Sequence, residues 1–491
     1  MNLIGLLFLL ITQFITGRGV IELCKVKMRP LLMFCYSFIA GVAIFSFLPF
    51  ILELFHVTIN MSSVSIAIGV TTIAFMVPLL GQIRNFKLPS AKDFKLPGIY
   101  EIPFLTIFVL LILLSVWRAW FYPPNARDML SGPEVMADLA LREGHIINSL
   151  FKIDLQSTNN YLKPPFITSL QIIYKLYVQP FGQTWLSILF VNFIVIVYTL
   201  LKERIHPVLL GFAMLYFFGM PEVFGYSYLM LFDYSNMIFF FSGYYFLNQY
   251  FEHKDNGNFA FSVFLFTIAT YIRTETLILV GMNLPIIFYY HYKDKLPMAK
   301  SAIRMAIFVA IPFVIYFLCM NVYIKHFIPI KYDVSADMNK NLGDISPLFD
   351  RLSGMFSKLL FASETNYPYY GYFPHLFVLL LLVDIVFFRK FNKEGITLFY
   401  GIAVTYIGLA FIGYLLPLAD LMHTTKRGLF KLFPLVLLYY RDSPALQRLT
   451  AIIKNWEDGI STPRPQQPRP APAPKPQPAP RPAQPAQQKK K

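Results

Sequence analysis

The chain has 491 residues, a formal net charge of +16, 56% hydrophobic residues, 14% charged residues and a mean hydropathy of +0.53. Soluble domains carry roughly 25% charged residues, so this composition excludes a water-soluble globule, and it equally excludes a disordered chain. It points to a multi-pass membrane protein, with 50 Phe and 30 Tyr supplying the rings that gather at membrane interfaces. The charge invites nucleic-acid binding as a second reading, but residues 461–491 hold seven basic residues, no acidic ones and 11 prolines. Nearly half of the charge therefore sits in a tail of extended, polyproline-like composition, and no nucleic-acid partner is expected.

A helix needs about 20 apolar residues to cross a bilayer. In chain order, strong spans are expected near 31–52, 62–82, 99–119, 183–201, 232–250, 302–324, 373–388 and 396–416. Weaker ones are expected near 3–17, 206–221, 258–272, 276–292 and 428–440. The fold class is all-α, a polytopic bundle of about 13 transmembrane helices. The first apolar run lacks a basic leader and is read as a retained helix.

Basic residues concentrate in alternate connections: Arg18 to Arg29, Arg84 to Lys95, Lys202 and Arg204, Lys293 to Arg304, and Arg389 to Lys393. With 13 helices and the N-terminus outside, the positive-inside rule makes all of these cytoplasmic, and the tail too. Residues 164–178 are apolar but short and begin with Pro164-Pro165, so they are expected to form a helix lying at the outer membrane surface. Two long connections, 121–165 and 326–371, then face outward, each with four Lys/Arg against five Asp/Glu.

The first outer connection carries Asp128 soon after a span ends. A carboxylate held at the membrane surface over apolar helix is a candidate general base, since burial raises its pKa; a helix cap or solvated loop Asp is the competing reading. Glu134 is a second candidate acid, in a helical stretch where Val135, Leu139 and Ile146 share a face and Asp138 pairs with Arg142. His145 reads as structural. Lys163, at headgroup level, is placed to meet a lipid phosphate or simply to snorkel.

Asp233 opens the 232–250 span, where a carboxylate is costly, although a helix-capping role also fits. Arg273 and Glu275 stand between two short spans, as a mutual ion pair or with Arg273 toward a phosphate. Lys426 and Arg427 lie at the outer mouth of the last helix and break the positive-inside pattern. Basic residues on that side ask for an anionic partner, and Arg suits bidentate phosphate contact. Lys431 follows one turn later. Cys24, Cys35 and Cys319 show no metal spacing, and no Walker, zinc-protease or nucleophile-elbow motif occurs.

In order, these pieces resemble the GT-C superfamily of polytopic glycosyltransferases. The likeness covers roughly residues 99–440: a span, Asp128 early in an outer loop, amphipathic surface helices, and a Tyr-Pro-Pro-like segment at Tyr161–Phe166. It continues with a helix opened by Leu231–Asn236, a turn at Arg273-Thr274-Glu275-Thr276, and an Arg-x-Leu…Pro run from Arg427 to Pro434. Thr276 replaces the usual Gly, and Leu162-Lys163 interrupt the Tyr-Pro-Pro string.

The resemblance implies transfer of a sugar from a polyprenyl-phosphate-linked donor to an acceptor hydroxyl on a glycan, lipid or protein at the outer face of a bacterial inner membrane. Asp128 would be the base. Arg427, Lys426, Arg273 and Lys163 would bind the donor phosphate, supported by Asp233, Glu275 and Tyr161. The scheme needs no cofactor and leaves a divalent metal open.

The expected organisation is accessory helices over 1–98, a GT-C-like core over 99–440, a cytoplasmic segment over 441–460 and the tail over 461–491. A lipid-linked-saccharide transporter or flippase would instead show charges deep in spans, of which Asp384 is the one candidate, and internal repeats. A polysaccharide polymerase or ligase would use 326–371 and its Tyr367–Tyr372 run. Reporter fusions should place residue 150 outside and the 84–95 connection and the tail inside; a reporter at Leu150 active only on the inner side overturns this orientation.

Overall fold

The computed structural model describes residues 3–81, 97–153, 163–178, 182–329, 339–340, 342–361, 370–389, 393–416 and 426–461. The described residues form helices and no strands. The labels used below are α1 (Leu3–Cys24), α2 (Pro30–Phe45), α3 (Phe47–Leu54), α4 (Met61–Leu80), α5 (Ile102–Phe121), α6 (Val135–Glu143), α7 (Phe166–Tyr177), α8 (Thr184–Lys202), α9 (Pro207–Phe218), α10 (Phe232–His253) and α11 (Asn256–Ile272). They continue with α12 (Thr276–Gly281), α13 (Leu284–Lys293), α14 (Met298–Phe317), α15 (Ser346–Leu360), α16 (Phe373–Val383), α17 (Lys393–Leu415), α18 (Leu432–Asp442) and α19 (Pro444–Ser461). Residues Met1–Thr450 make one compact unit, which includes the first 98 residues. A second unit, Ala451–Lys491, is described over the end of α19, where Ile452 and Trp456 are exposed.

Helices occupy each expected span, and among the described residues seven are long and apolar enough to cross a membrane. Two of these, α4 and α5, turn most of their surface outward, exposing Ile66, Val70 and Ile73 on one and Leu110, Leu113 and Leu114 on the other. Large aliphatic surfaces of this kind suit lipid and not water. α1 outruns its expected end because Arg18 pairs with Glu22 one turn on, at 3.3 Å, which lets the helix carry both charges.

The expected span at 276–292 is broken into α12 and α13. Pro285 has no N–H to bond back to the carbonyl of Gly281, and so interrupts the ladder. Asn283 spans the break: its amide donates to the Leu279 carbonyl at 2.8 Å and its oxygen accepts from Tyr244.

α7 differs from the expected surface helix. It is as short as expected, but Phe166 to Tyr174 are all buried. α3, α6, α8 and α11 pack around it, and Tyr174 donates to Gln13 of α1 at 2.9 Å. A helix apolar all round is a buried helix. The α6 face also differs. Met136, Ala137 and Ala140 are buried, not Val135 and Leu139, and Asp138 pairs with Lys175 of α7 in place of Arg142.

α10 runs through the middle of the unit, buried almost throughout. Its Ser235, Asn236, Ser242 and Asn248 keep it outside the set of strongly apolar spans, and all four are enclosed by protein. Asp384, one turn from the end of its span, accepts from Tyr439 and Ser443 at 2.7 Å each and from the Ala445 backbone N–H at 2.9 Å. It therefore anchors the positive N-terminal end of α19.

α1 and α2 approach closely enough that a Cβ on Gly41 would lie 2.0 Å from the Gln13 carbonyl oxygen, and one on Gly17 1.8 Å from that of Ser37. Small residues at such crossings are how membrane helices gain contact. Gly41→Val should lower the Tm of the purified protein by forcing the helices apart, a cost of about 1–3 kcal/mol. An unchanged melting curve would mean that the crossing is not close.

Candidate functional site

The charged residues that interrupt apolar sequence are brought to one end of α10. Asp128 lies in a short helical turn, Arg127–Met129, that follows α5. Its carboxylate pairs with Arg427 at 2.9 Å across 299 positions of sequence. Asp128 is about one-third exposed (35%), not buried against apolar helix as expected, and Arg427 is 36% exposed. The pair stands at the mouth of the site.

Beneath it the charges are buried. Arg273, at the end of α11, pairs with both Asp233 and Glu275. The two readings of Arg273 and Glu275 thus narrow to a three-residue network. Asp233 does sit in the first turn of α10, and its carboxylate also serves Arg273.

Asn236, one turn further along α10, donates to the Ala269 carbonyl at 2.6 Å and to the Thr276 hydroxyl at 3.1 Å. It ties the Arg273–Glu275 turn to the helix that carries Asp233. Thr276 replaces the expected Gly with a purpose, because its hydroxyl accepts that bond.

Lys163 and Lys431 complete the group. Lys163 lies 4.7 Å from the centre of the Phe232 ring, a cation–π contact. Lys431 is buried in the turn Leu429–Lys431, which packs on α10. Each lysine lies within electrostatic reach of Arg273, Asp233, Glu275 and the other lysine. Four cations therefore face three carboxylates, leaving the group positive by one.

Burial pushes the Lys163 ammonium down to about 8, with Arg273 adding to the effect and Asp233 and Glu275 opposing it. Burial also works against the Arg427 guanidinium, but Asp128, Tyr226 and Asp233 outweigh it and hold the group above its ordinary value. Tyr226 stacks on Phe430 with ring centres 5.0 Å apart, which sets it beside Arg427.

Glu134 stands with other partners. Lys175 lies 2.5 Å from it and Gln171 donates to it at 2.7 Å. Burial raises its carboxyl, and Asp138 adds to this against Lys175 and Gln171. His145 lies 3.7 Å from Glu53, whose carboxylate accepts the backbone N–H groups of Ile146 and Ile147 at 2.7 and 3.2 Å. The Glu134 and His145 contacts hold the segment between α5 and α7 in place. Tyr161 and the side chain of Lys426 lie outside the described residues.

Sequence reading named Lys431 without a role and missed Asn236 and Tyr226. Lys431 was open to detection, because it follows Arg427 by four residues and so shares its helix face. Asn236 and Tyr226 carry no such signal.

Among the described residues, no group of three or more His, Cys, Asp or Glu side chains is placed to hold a metal ion. What the site can do chemically is accept an anion at its cations and a proton at Asp128. Comparison with protein-family models, with curated proteins and with solved structures returns no match. The fold defines the class: among the described residues it is all-helical, with seven helices long and apolar enough to cross a membrane.

If Lys163 helps hold an anion, affinity for a short-chain alkyl phosphate should be full near neutral pH. It should weaken as pH rises through about 8, where the ammonium loses its proton, and Lys163→Arg should make that decline smaller. Calorimetric titration on either side of this value checks it; a flat profile in the natural protein contradicts the role.

Proposed function

We propose that the protein is a membrane glycosyltransferase that moves a sugar from a polyprenyl-phosphate-linked donor to an acceptor hydroxyl. The observation that carries this reading is the Asp128–Arg427 pair at 2.9 Å, a carboxylate at the mouth of a net-positive buried group. The reading adopts a GT-C-like core over 99–440, about 13 spans, and a site on the outer face of a bacterial inner membrane.

The donor phosphate binds Arg427, Lys431 and Lys163, with Arg273 behind them. A phosphate that engages Arg427 draws it from Asp128 and leaves that carboxylate to accept a proton. The acceptor oxygen attacks the anomeric carbon, and its proton passes to Asp128. The bond from the anomeric carbon to the phosphate oxygen breaks, and the electron pair leaves with the lipid phosphate. The cations stabilise the charge that develops there.

Phosphate is already a good leaving group, so no second carboxylate need act as acid, unlike the paired carboxylates of glycoside hydrolases. A single displacement inverts the anomeric centre. Glu134, committed to Lys175, serves as structure in this scheme, and Asp233 and Glu275 hold Arg273 in place.

Asp128→Asn should keep the fold and lose roughly 10²–10⁴-fold in sugar transfer, the usual contribution of a general base. The assay uses purified protein and a panel of polyprenyl-phosphate sugars. A folded variant with full transfer removes Asp128 from the mechanism.

A further inference from the structure

A second charged cavity lies at the far end of α10. It has a volume of ≈ 320 Å³ and takes its basic lining from Lys27, Arg29, Arg204 and Arg441, against Glu203 and Glu252. Its elements are the link between α1 and α2, the end of α8, the end of α10 and the end of α18. Asp233 and His253 stand 20 positions apart on one unbroken helix, which separates the two charged sites by about 30 Å. That is about the thickness of a bilayer's hydrocarbon core, so the cavity opens at the opposite membrane face from Asp128.

The cavity is graded from rim to floor. Lys27 and Arg29 are exposed at the rim, and Arg441 is buried at the base. Arg29 pairs with Glu203 at 2.9 Å. Arg204 and Arg441 share one buried carboxylate, Asp442, at 2.6 and 2.8 Å. Leu32, Phe246 and Tyr245 supply an apolar wall beside these cations. Basic pockets between membrane helices, with apolar surface alongside, are where anionic headgroups bind.

We infer that this cavity binds a phosphate group, presented either by an anionic phospholipid or by a free phosphate compound. The site is separate from the one proposed for sugar transfer and does not depend on that reading.

The experiment uses the purified full-length protein in neutral detergent and follows its melting temperature against added dioleoyl phosphatidic acid, dioleoylglycerol and inorganic phosphate. The expected result is a saturable rise with phosphatidic acid, with inorganic phosphate or with both, and none with dioleoylglycerol. The double variant Lys27→Gln/Arg29→Gln, on the exposed rim, should melt normally without ligand and bind about thirtyfold more weakly, by roughly 1 kcal/mol per basic residue. Arg427→Gln, at the other end of the bundle, should retain the rise and so exclude the outer site as its source.

A rise with phosphatidic acid alone assigns the cavity to a lipid headgroup, and a rise with inorganic phosphate assigns it to a free compound. Absence of any rise overturns the inference. So does an equal rise with dioleoylglycerol, an unweakened Lys27→Gln/Arg29→Gln variant, or loss of the rise in Arg427→Gln.

Discussion

Everything at the end of the bundle where α10 begins is arranged around the Arg273 guanidinium. It joins Asp233 at the start of α10 to Glu275 in the turn before α12. A buried charge of either sign is costly alone, and removal of one partner from such a pair typically costs about 3–5 kcal/mol. The two carboxylates make the arginine tolerable, and the arginine makes the carboxylates tolerable. Asn236 then fixes the turn to α10 by two hydrogen bonds. Once those four residues are set, the start of α10 and the end of α11 form a rigid platform on which Lys163 and Lys431 rest.

The platform is overfilled with positive charge by design of its composition. Asp233 and Glu275 balance Arg273 and one lysine, so the second lysine and Arg427 have only Asp128 to answer them. Asp128 is also the least buried of the three acids' settings, at the mouth and in contact with solvent. This places the excess positive charge deep and the carboxylate of Asp128 shallow.

Much of this was legible in residue types. Asp233, Arg273, Glu275 and Arg427 were visible because each interrupts an apolar run or breaks the sidedness of basic charge, and a membrane makes such interruptions expensive. Which charges would meet was not legible, since Asp128 and Arg427 are brought together by tertiary packing alone. Glu134 stood as a second candidate behind Asp128 until Lys175 of α7 proved to be its partner. The burial of α7 escaped for a related reason: an apolar helix of 12 residues reads alike whether one side or all sides are covered. The break at Pro285 was readable in principle, but the apolar composition around it outweighed the proline.

α5 carries Asp128 just beyond its end, yet only Phe108, Ser115 and Ala119 of that helix are buried. Protein grips it chiefly at Glu101, which Lys202 meets at 2.7 Å, and at Ser115, which bonds Ser227 at 3.0 Å. Protein covers little of the rest of the helix. Arg427, by contrast, precedes a helix buried along its whole length. The Asp128–Arg427 pair is therefore gripped unequally from its two sides: one partner follows a helix that protein barely covers, and the other leads into a helix that protein encloses.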